Sequence, residues 1–388
     1  MVKNVIIIVL AILVLFFFIL VLTDICLYLK DILSKYHIGR WNSDSQWEER
    51  IYNVSVKWVY KTPTVKITDN ERYVLLDMLK GRYRSQSIQS WQTAALLLGL
   101  LEKGDKQNAS KAAMSYIDTS GGWKQKPTAV DSGLLSYSVM KSVPDRQFIK
   151  PAMDDMLALI LKQKDKDGLI CYNGDSSNPE KYVDTLGLVC PFLVYYANIY
   201  HKPEYEKLAF KQLEFYHNYG LLANTCLPNH AVNSDTKLPL GVFGWGRGTA
   251  WYIIGLIGTY QEISDEKIKS ILKNWILDCA ESYKNFQNKN GGFGSILQRM
   301  NTYDSSVTAV MSYFYFVCSK MFNNKLYEAI AQKSLEKLKK VTRQSGAIDY
   351  CQGDTKGIGI FAQYYDIMPF AQGYALNAIE LSKKVKNK

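Results

Sequence analysis

Three aspartates stand at the starts of apolar stretches: Asp131 in TAVDSGLL, Asp184 in KYVDTLGL and Asp304 in NTYDSSVTA. Carboxylates that share a site raise one another's pKa, so that one keeps its proton near neutral pH and can act as an acid. The ordinary alternative is capping, because the free N–H groups and the dipole at a helix start attract aspartate in any protein. Both readings stay open for each residue taken singly. A fourth stretch, WGRGTAWY, carries Arg247 between Trp245 and Trp251, and the long loop before it holds His230 in LPNHAVN. A guanidinium can pair with a carboxylate, tryptophans can wall a sugar ring, and a histidine can exchange a proton near neutrality. Each also has a bland reading, as core packing or as a loop hydrogen bond.

The stretches that must position these residues read as helices of two kinds. One kind is amphipathic: in PEYEKLAFKQLEFYHNYG, Tyr205, Leu208, Ala209, Leu213 and Tyr216 fall on one face with Lys and Glu opposite. The other is apolar all round, as in 93–101, 131–140, 306–318 and the stretch after Asp184, and such a helix is buried on every side. Glycine punctuation separates the pairs, in DTSGGW, DKDGLICY, NYGLL, NKNGGFG and RQSGAIDY, and reads as left-handed caps closing the amphipathic helices. Alternating buried and amphipathic helices predict two concentric rings: an all-α, six-hairpin (α/α)6 barrel. In that arrangement the starts of the inner helices share one rim. Asp131 and Asp184, 53 residues apart, then sit on neighbouring inner helices at one depth.

At these residues the chain resembles the unsaturated glucuronyl and rhamnogalacturonyl hydrolases, glycoside hydrolase families 88 and 105. The resemblance covers about residues 85 to 385 and rests on YVDTLGLVCPFL, WGRGTAW, DSSVTAVMSYF and NHAVN in that order. It implies an (α/α)6 barrel that removes a 4,5-unsaturated uronic acid from the non-reducing end of an oligosaccharide, without a metal or organic cofactor. It also implies that Asp184 is the general acid and Asp131 the second carboxylate. His230 and Arg247 would contact the sugar, Trp245 and Trp251 would wall it, and Asp304 would belong to the substrate site. Tyr182 stands where the family usually has tryptophan before Val-Asp. Two competing expectations are a membrane-tethered carbohydrate-binding protein that has lost turnover, and another barrel enzyme such as an epimerase or cyclase. GGFG at 291–294 also occurs in prenyltransferase and terpene-cyclase barrels, but the acidic motif and the zinc set of those enzymes are missing.

The N-terminus differs in kind. Val5 to Leu22 is an unbroken apolar run of 18 residues, long enough to span a bilayer, and no small-residue cleavage site follows. The expected organisation is a membrane anchor at 1–30, a connector and first helix at 31–68, and the barrel at 69–388. Lys3 precedes the run while Lys30, Lys35 and Arg40 follow it, which leans the barrel towards the cytoplasmic side. The net charge of +11 is spread over helix surfaces and the C-terminal LSKKVKNK, with no arginine–aromatic stripe. Nucleic acid is therefore not the expected partner, whereas an anionic sugar or an anionic membrane surface is. The seven cysteines form no CxxC and no Cys/His cluster, so no structural metal is expected.

Overall fold

The computed structural model describes residues 2–63, 68–82 and 86–386. The chain opens with α1 (Val2–Lys35), α2 (Asp44–Tyr60) and the short α3 (Val74–Leu79). Five helical hairpins follow: α4 (Gln86–Lys103) with α5 (Lys106–Met114), α6 (Ser132–Ser142) with α7 (Lys150–Lys162), α8 (Asp184–Tyr200) with α9 (Glu204–Tyr219), α10 (Gly246–Glu262) with α11 (Glu266–Tyr283), and α12 (Ser305–Phe322) with α13 (Lys325–Lys340). The last helix is α14 (Pro369–Lys386). The even-numbered helices from α4 to α14 pack side by side, and α14 returns to α4, so the inner ring closes. This is the expected barrel. Its interior is the apolar sequence class itself: in α8 and α12, chains of buried Leu, Val, Phe and Ser leave almost no face for water.

The sixth outer helix is α2. It packs on α14 and α4, buries Trp47 and Ile51, and is tied in by the Gln372 amide donating to the Ile51 carbonyl at 3.1 Å. The barrel thus draws its sixth outer helix from the segment 31–68, where the sequence predicts a connector and a first helix.

From α5 to α14 the passages from an outer helix to the next inner helix lie on one rim, as expected, but most of the glycines there do a different job from the one predicted. Gly220 does cap α9, with right-handed backbone, but Gly121, Gly168, Gly291 and Gly346 hold left-handed backbone several residues past the helix end. In the turn after α5, the Asp118 carboxylate takes the N–H of Ser120, and the Asp118 N–H donates to the Gly122 carbonyl at 2.8 Å. The same turn recurs at Asp165 and at Asn288. Gly121 and Gly291 hold φ of 83° and 91°. A Cβ on Gly121 would stand 1.8 Å from the Phe148 carbonyl oxygen, so left-handed backbone and close packing both demand glycine. These turns deliver each chain to the rim in one geometry.

Short strands decorate that rim. Strands β1 (Glu180–Tyr182), β2 (Ala231–Asn233) and β3 (Pro239–Leu240) form an antiparallel sheet, with Tyr182 opposite Ala231 and Ala231 opposite Leu240. Strands β4 (Cys351–Gln352) and β5 (Tyr365–Asp366) pair across the loop between α13 and α14. Helix α1 stands apart from the rings, with its apolar residues exposed and Leu20 the buried one among them. It is long and apolar enough to cross a membrane.

Candidate active site

The start of α8 is set by two contacts. Gly187 lets α10 approach so closely that a Cβ there would be 2.7 Å from the Trp251 carbonyl, and the Val183 N–H donates to the His230 carbonyl at 3.0 Å, extending the β1–β2 pairing. The pairing register therefore carries His230 to the side of Asp184, although 46 residues separate them. Asp184 is the first residue of α8, and no side chain caps this helix start.

A cavity of about 230 Å³ opens on the rim here, bounded by Asp184, His230, Tyr172, Tyr182, Trp91 and Trp251 on one side and by residues 354–357 on the other. The Asp184 side chain is 15% exposed, and its buried Oδ2 has no hydrogen-bond partner among the described residues. Burial raises its pKa to about 7; the positive charge of Arg247 opposes the rise, while Asp354 and Asp131 add to it. At neutral pH a large share of Asp184 is therefore protonated and can give a proton to a bound molecule.

His230 is held differently. Its ring packs 4.6 Å from that of Trp245 and 5.6 Å from that of Phe361. Burial, with Arg247 nearby, lowers its pKa to about 4, so it is neutral at pH 7. The Gly359 N–H donates to its Nδ1 at 3.2 Å, which leaves the ring proton on Nε2, 4.0 Å from Asp184 Oδ2.

Arg247 is 1% exposed. It donates to the carbonyls of Gln352 and Gly353 at 2.5 and 2.6 Å, and lies 3.8 Å from Asp354. Its hydrogen bonds thus fix the loop after β4, and Arg247 itself also lines the cavity. Trp245 donates to the Gln352 side chain at 3.3 Å and backs His230 without lining the cavity. Trp251 does line it, edge-on to Trp91 at 5.3 Å.

Asp131 and Asp304 part company. Asp131 adopts helical backbone at the start of α6 and its side chain does not cap that helix. It is buried, and the Tyr172 hydroxyl, on the cavity wall, donates to it at 3.4 Å. Asp304 is fully buried and caps α12: it accepts from the Ser306 N–H and hydroxyl at 2.8 and 2.9 Å, and from the Gln352 N–H at 3.2 Å. It does not line the cavity.

Several residues of the site escaped the sequence reading. Asp354 and Lys356, in CQGDTKGIG, form the far wall, and burial raises the Asp354 pKa. Tyr172 follows the glycine turn of DKDGLICY, where the buried Lys181 joins Asp165 at 2.9 Å and Cys171 at 2.8 Å. That ion pair locks the turn to β1 and so sets both Tyr172 and Tyr182. A charged loop rich in glycine was the one available signal for Asp354. Among the described residues there is no cluster of metal-ligating side chains.

A sequence model of the family described as Glycosyl Hydrolase Family 88 matches residues 66–379. No curated protein matches the chain significantly. Among solved structures, the chain is similar to a possible member of the GH105 family from Klebsiella pneumoniae, with a TM-score of 0.70 at 14% identity, covering 90% of this chain and 95% of that one. It is also similar to a family 105 glycoside hydrolase of C. acetobutylicum, with a TM-score of 0.66 at 15% identity, covering 79% and 97%. A third is the unsaturated glucuronyl hydrolase of Bacillus sp. GL1, with a TM-score of 0.62 at 15% identity, covering 88% and 96%.

Proposed function

Since the chain belongs to glycosyl hydrolase family 88, we propose that it removes a 4,5-unsaturated uronic acid from the non-reducing end of an oligosaccharide. The observation that carries this reading is Asp184: a carboxyl on the cavity wall, held near pKa 7, with one oxygen committed to no other residue. Its proton goes to the double-bond carbon remote from the ring oxygen, and positive charge develops on the carbon bonded to that oxygen. Water adds there and returns a proton to Asp184, now a carboxylate. The hemiketal so formed opens and releases the rest of the sugar. Acid and base are one group, so the two-carboxylate spacing of ordinary glycosidases does not govern this site.

The remaining groups support that chemistry. Asp131, through Tyr172, adds negative charge behind Asp184 and favours its protonated form. Neutral His230 offers Nε2–H beside the reacting carboxyl. Arg247 and Lys356 give the cavity a positive charge suited to a uronate, and Trp91, Trp251, Tyr172 and Tyr182 wall a sugar ring. Under this reading α1 anchors the enzyme in a membrane. The test is loss of the ultraviolet absorbance of the conjugated double bond when purified protein meets a panel of unsaturated disaccharides. Absence of turnover across the panel, or undiminished turnover by Asp184→Asn, overturns the reading.

A further inference from the structure

Helix α1 does not hang from the barrel by a free linker. Its last turns are clamped onto the active-site rim. Arg343, 7% exposed, donates to Ser34 at 2.6 Å and pairs with Asp31 at 3.1 Å, while also holding Asp349 and Asp366 at 2.7 Å each. Lys35 adds a contact to Asp349 at 3.9 Å. Arg343 and Asp366 belong to the loop between α13 and α14, and that same loop forms the far wall of the Asp184 cavity with residues 354–357. The anchor helix and the cavity mouth thus share one piece of rim.

Residues 68–82 complete the arrangement. Asp24 of α1 accepts the backbone N–H groups of Tyr73 and Val74 at 2.6 and 2.9 Å. The Tyr73 ring lies 6.3 Å from that of Phe17. Phe17 is five residues inside the apolar run that ends at Leu22, so the Tyr73 ring reaches towards the part of α1 that would enter a bilayer, while the Tyr73 backbone stays at Asp24, two residues past the run. Interfacial segments sink their apolar faces about 5–10 Å into the boundary between headgroups and acyl chains. Beside the end of that run, α3 turns outward Met78, 39% exposed, and Leu79, 71% exposed. Arg72, Lys80 and Arg82 flank them, where long cationic side chains can reach phosphates. A groove of about 620 Å³ runs between this segment and α1, lined by Ile25, Tyr28, Lys30, Arg72 and Met78 among others. On its other side the segment touches the cavity wall: Asp69 pairs with Lys356 at 2.5 Å and accepts the Gln363 N–H at 3.0 Å.

We propose that residues 68–82 lie on the lipid bilayer that α1 enters, and that this second contact holds the mouth of the Asp184 cavity at the membrane surface. The cavity then receives glycan ends presented beside lipid, and not ends free in bulk solution. The inference rests on α1 as an inserted anchor. The occupant follows from continuity with α1, which holds the start of α3 through Asp24 and faces the Tyr73 ring with Phe17 of its apolar run.

The test uses the full chain in vesicles of phosphatidylcholine and phosphatidylglycerol, on a Cys26→Ser background. An environment-sensitive fluorophore is attached at Leu79→Cys or, as the control on the opposite rim, at Lys202→Cys; both positions are exposed. Lipids with a nitroxide near the headgroup should quench the Leu79→Cys label roughly twofold and leave the Lys202→Cys label unchanged. Protease protection of α1 is scored in the same vesicles. Protected α1 with an unquenched Leu79→Cys label overturns the proposal and leaves the anchor standing. Unprotected α1 overturns both. Disulfide cross-linking of Leu79→Cys between copies, without lipid quenching, overturns it in favour of a second copy as the occupant.

Discussion

The starts of α8 and α12 look alike in sequence, each an aspartate opening an apolar helix, yet they are built for opposite ends. Asp304 meets the donors expected of a helix start: Ser306 supplies its N–H and hydroxyl, and Gln352 adds an N–H from the neighbouring loop. Asp184 is followed by Thr and Leu, takes helical backbone itself, and stands on the cavity wall with its buried Oδ2 lacking a hydrogen-bond partner among the described residues. Both carboxyls have raised pKa values because both are buried, but only Asp304 has several hydrogen bonds that favour its charged form. Desolvation without satisfied acceptors makes an acid; desolvation with them makes a cap.

The sharpest way to break this contrast is Asp184→Asn. Turnover should fall about 10²- to 10⁴-fold, the usual worth of a positioned acid, in the double-bond assay. Stability should move the other way. The folded pKa of about 7 exceeds the unfolded value of 3.8, so the folded state holds the proton more tightly and loses stability as pH rises from 3.8 to 7. Asparagine escapes that loss, so the variant should melt above the wild type at pH 8, with the gap closing towards pH 4. A variant that is inactive and also less stable at pH 8 would make Asp184 structural.

Lys181→Ala probes the scaffold of the same site. It strands Asp165 in a buried pocket, and breaking such a pair costs about 3–5 kcal/mol, to be read by chemical denaturation. Because the pair fixes Tyr172 and Tyr182, KM should rise in whatever protein remains folded. The pH profile is the next measure. The value of kcat/KM should decline above about pH 7, nearly tenfold per unit, as Asp184 ionises. A profile flat to pH 9 would show that another group supplies the proton. Asp304→Ala should have the smallest effect on chemistry. It should cost about 0.5–2 kcal/mol of stability, the worth of a cap, with kcat per folded molecule nearly unchanged. A large loss of kcat at full stability would return Asp304 to the substrate site.

Much of the scaffold was legible before any coordinates. The two helix classes follow from where apolar residues recur along the chain, and the glycine turns follow from backbone conformations that other residues rarely adopt. The rim and the neighbourhood of Asp131 and Asp184 came with them. Less legible were contacts made between loops. Asp354 and Lys356 lie in a segment without helical periodicity, and Tyr172 acquires its place only through the buried Lys181–Asp165 pair. The role of α2 in the outer ring was hidden because its partners, α14 and α4, are distant or later in sequence.

The amino-acid order by itself determined the ring of buried helices, the shared rim and the apolar N-terminal helix, because burial and turn geometry are local consequences of residue type and spacing. Only the tertiary structure decided which rim aspartate caps its helix and which stands at the cavity with an oxygen left without a partner among the described residues, and where α1 meets the rim. Those outcomes depend on solvent access and on hydrogen-bond partners brought from loops remote in sequence, such as the Gln352 N–H at Asp304 and the Arg343 side chain at Asp31.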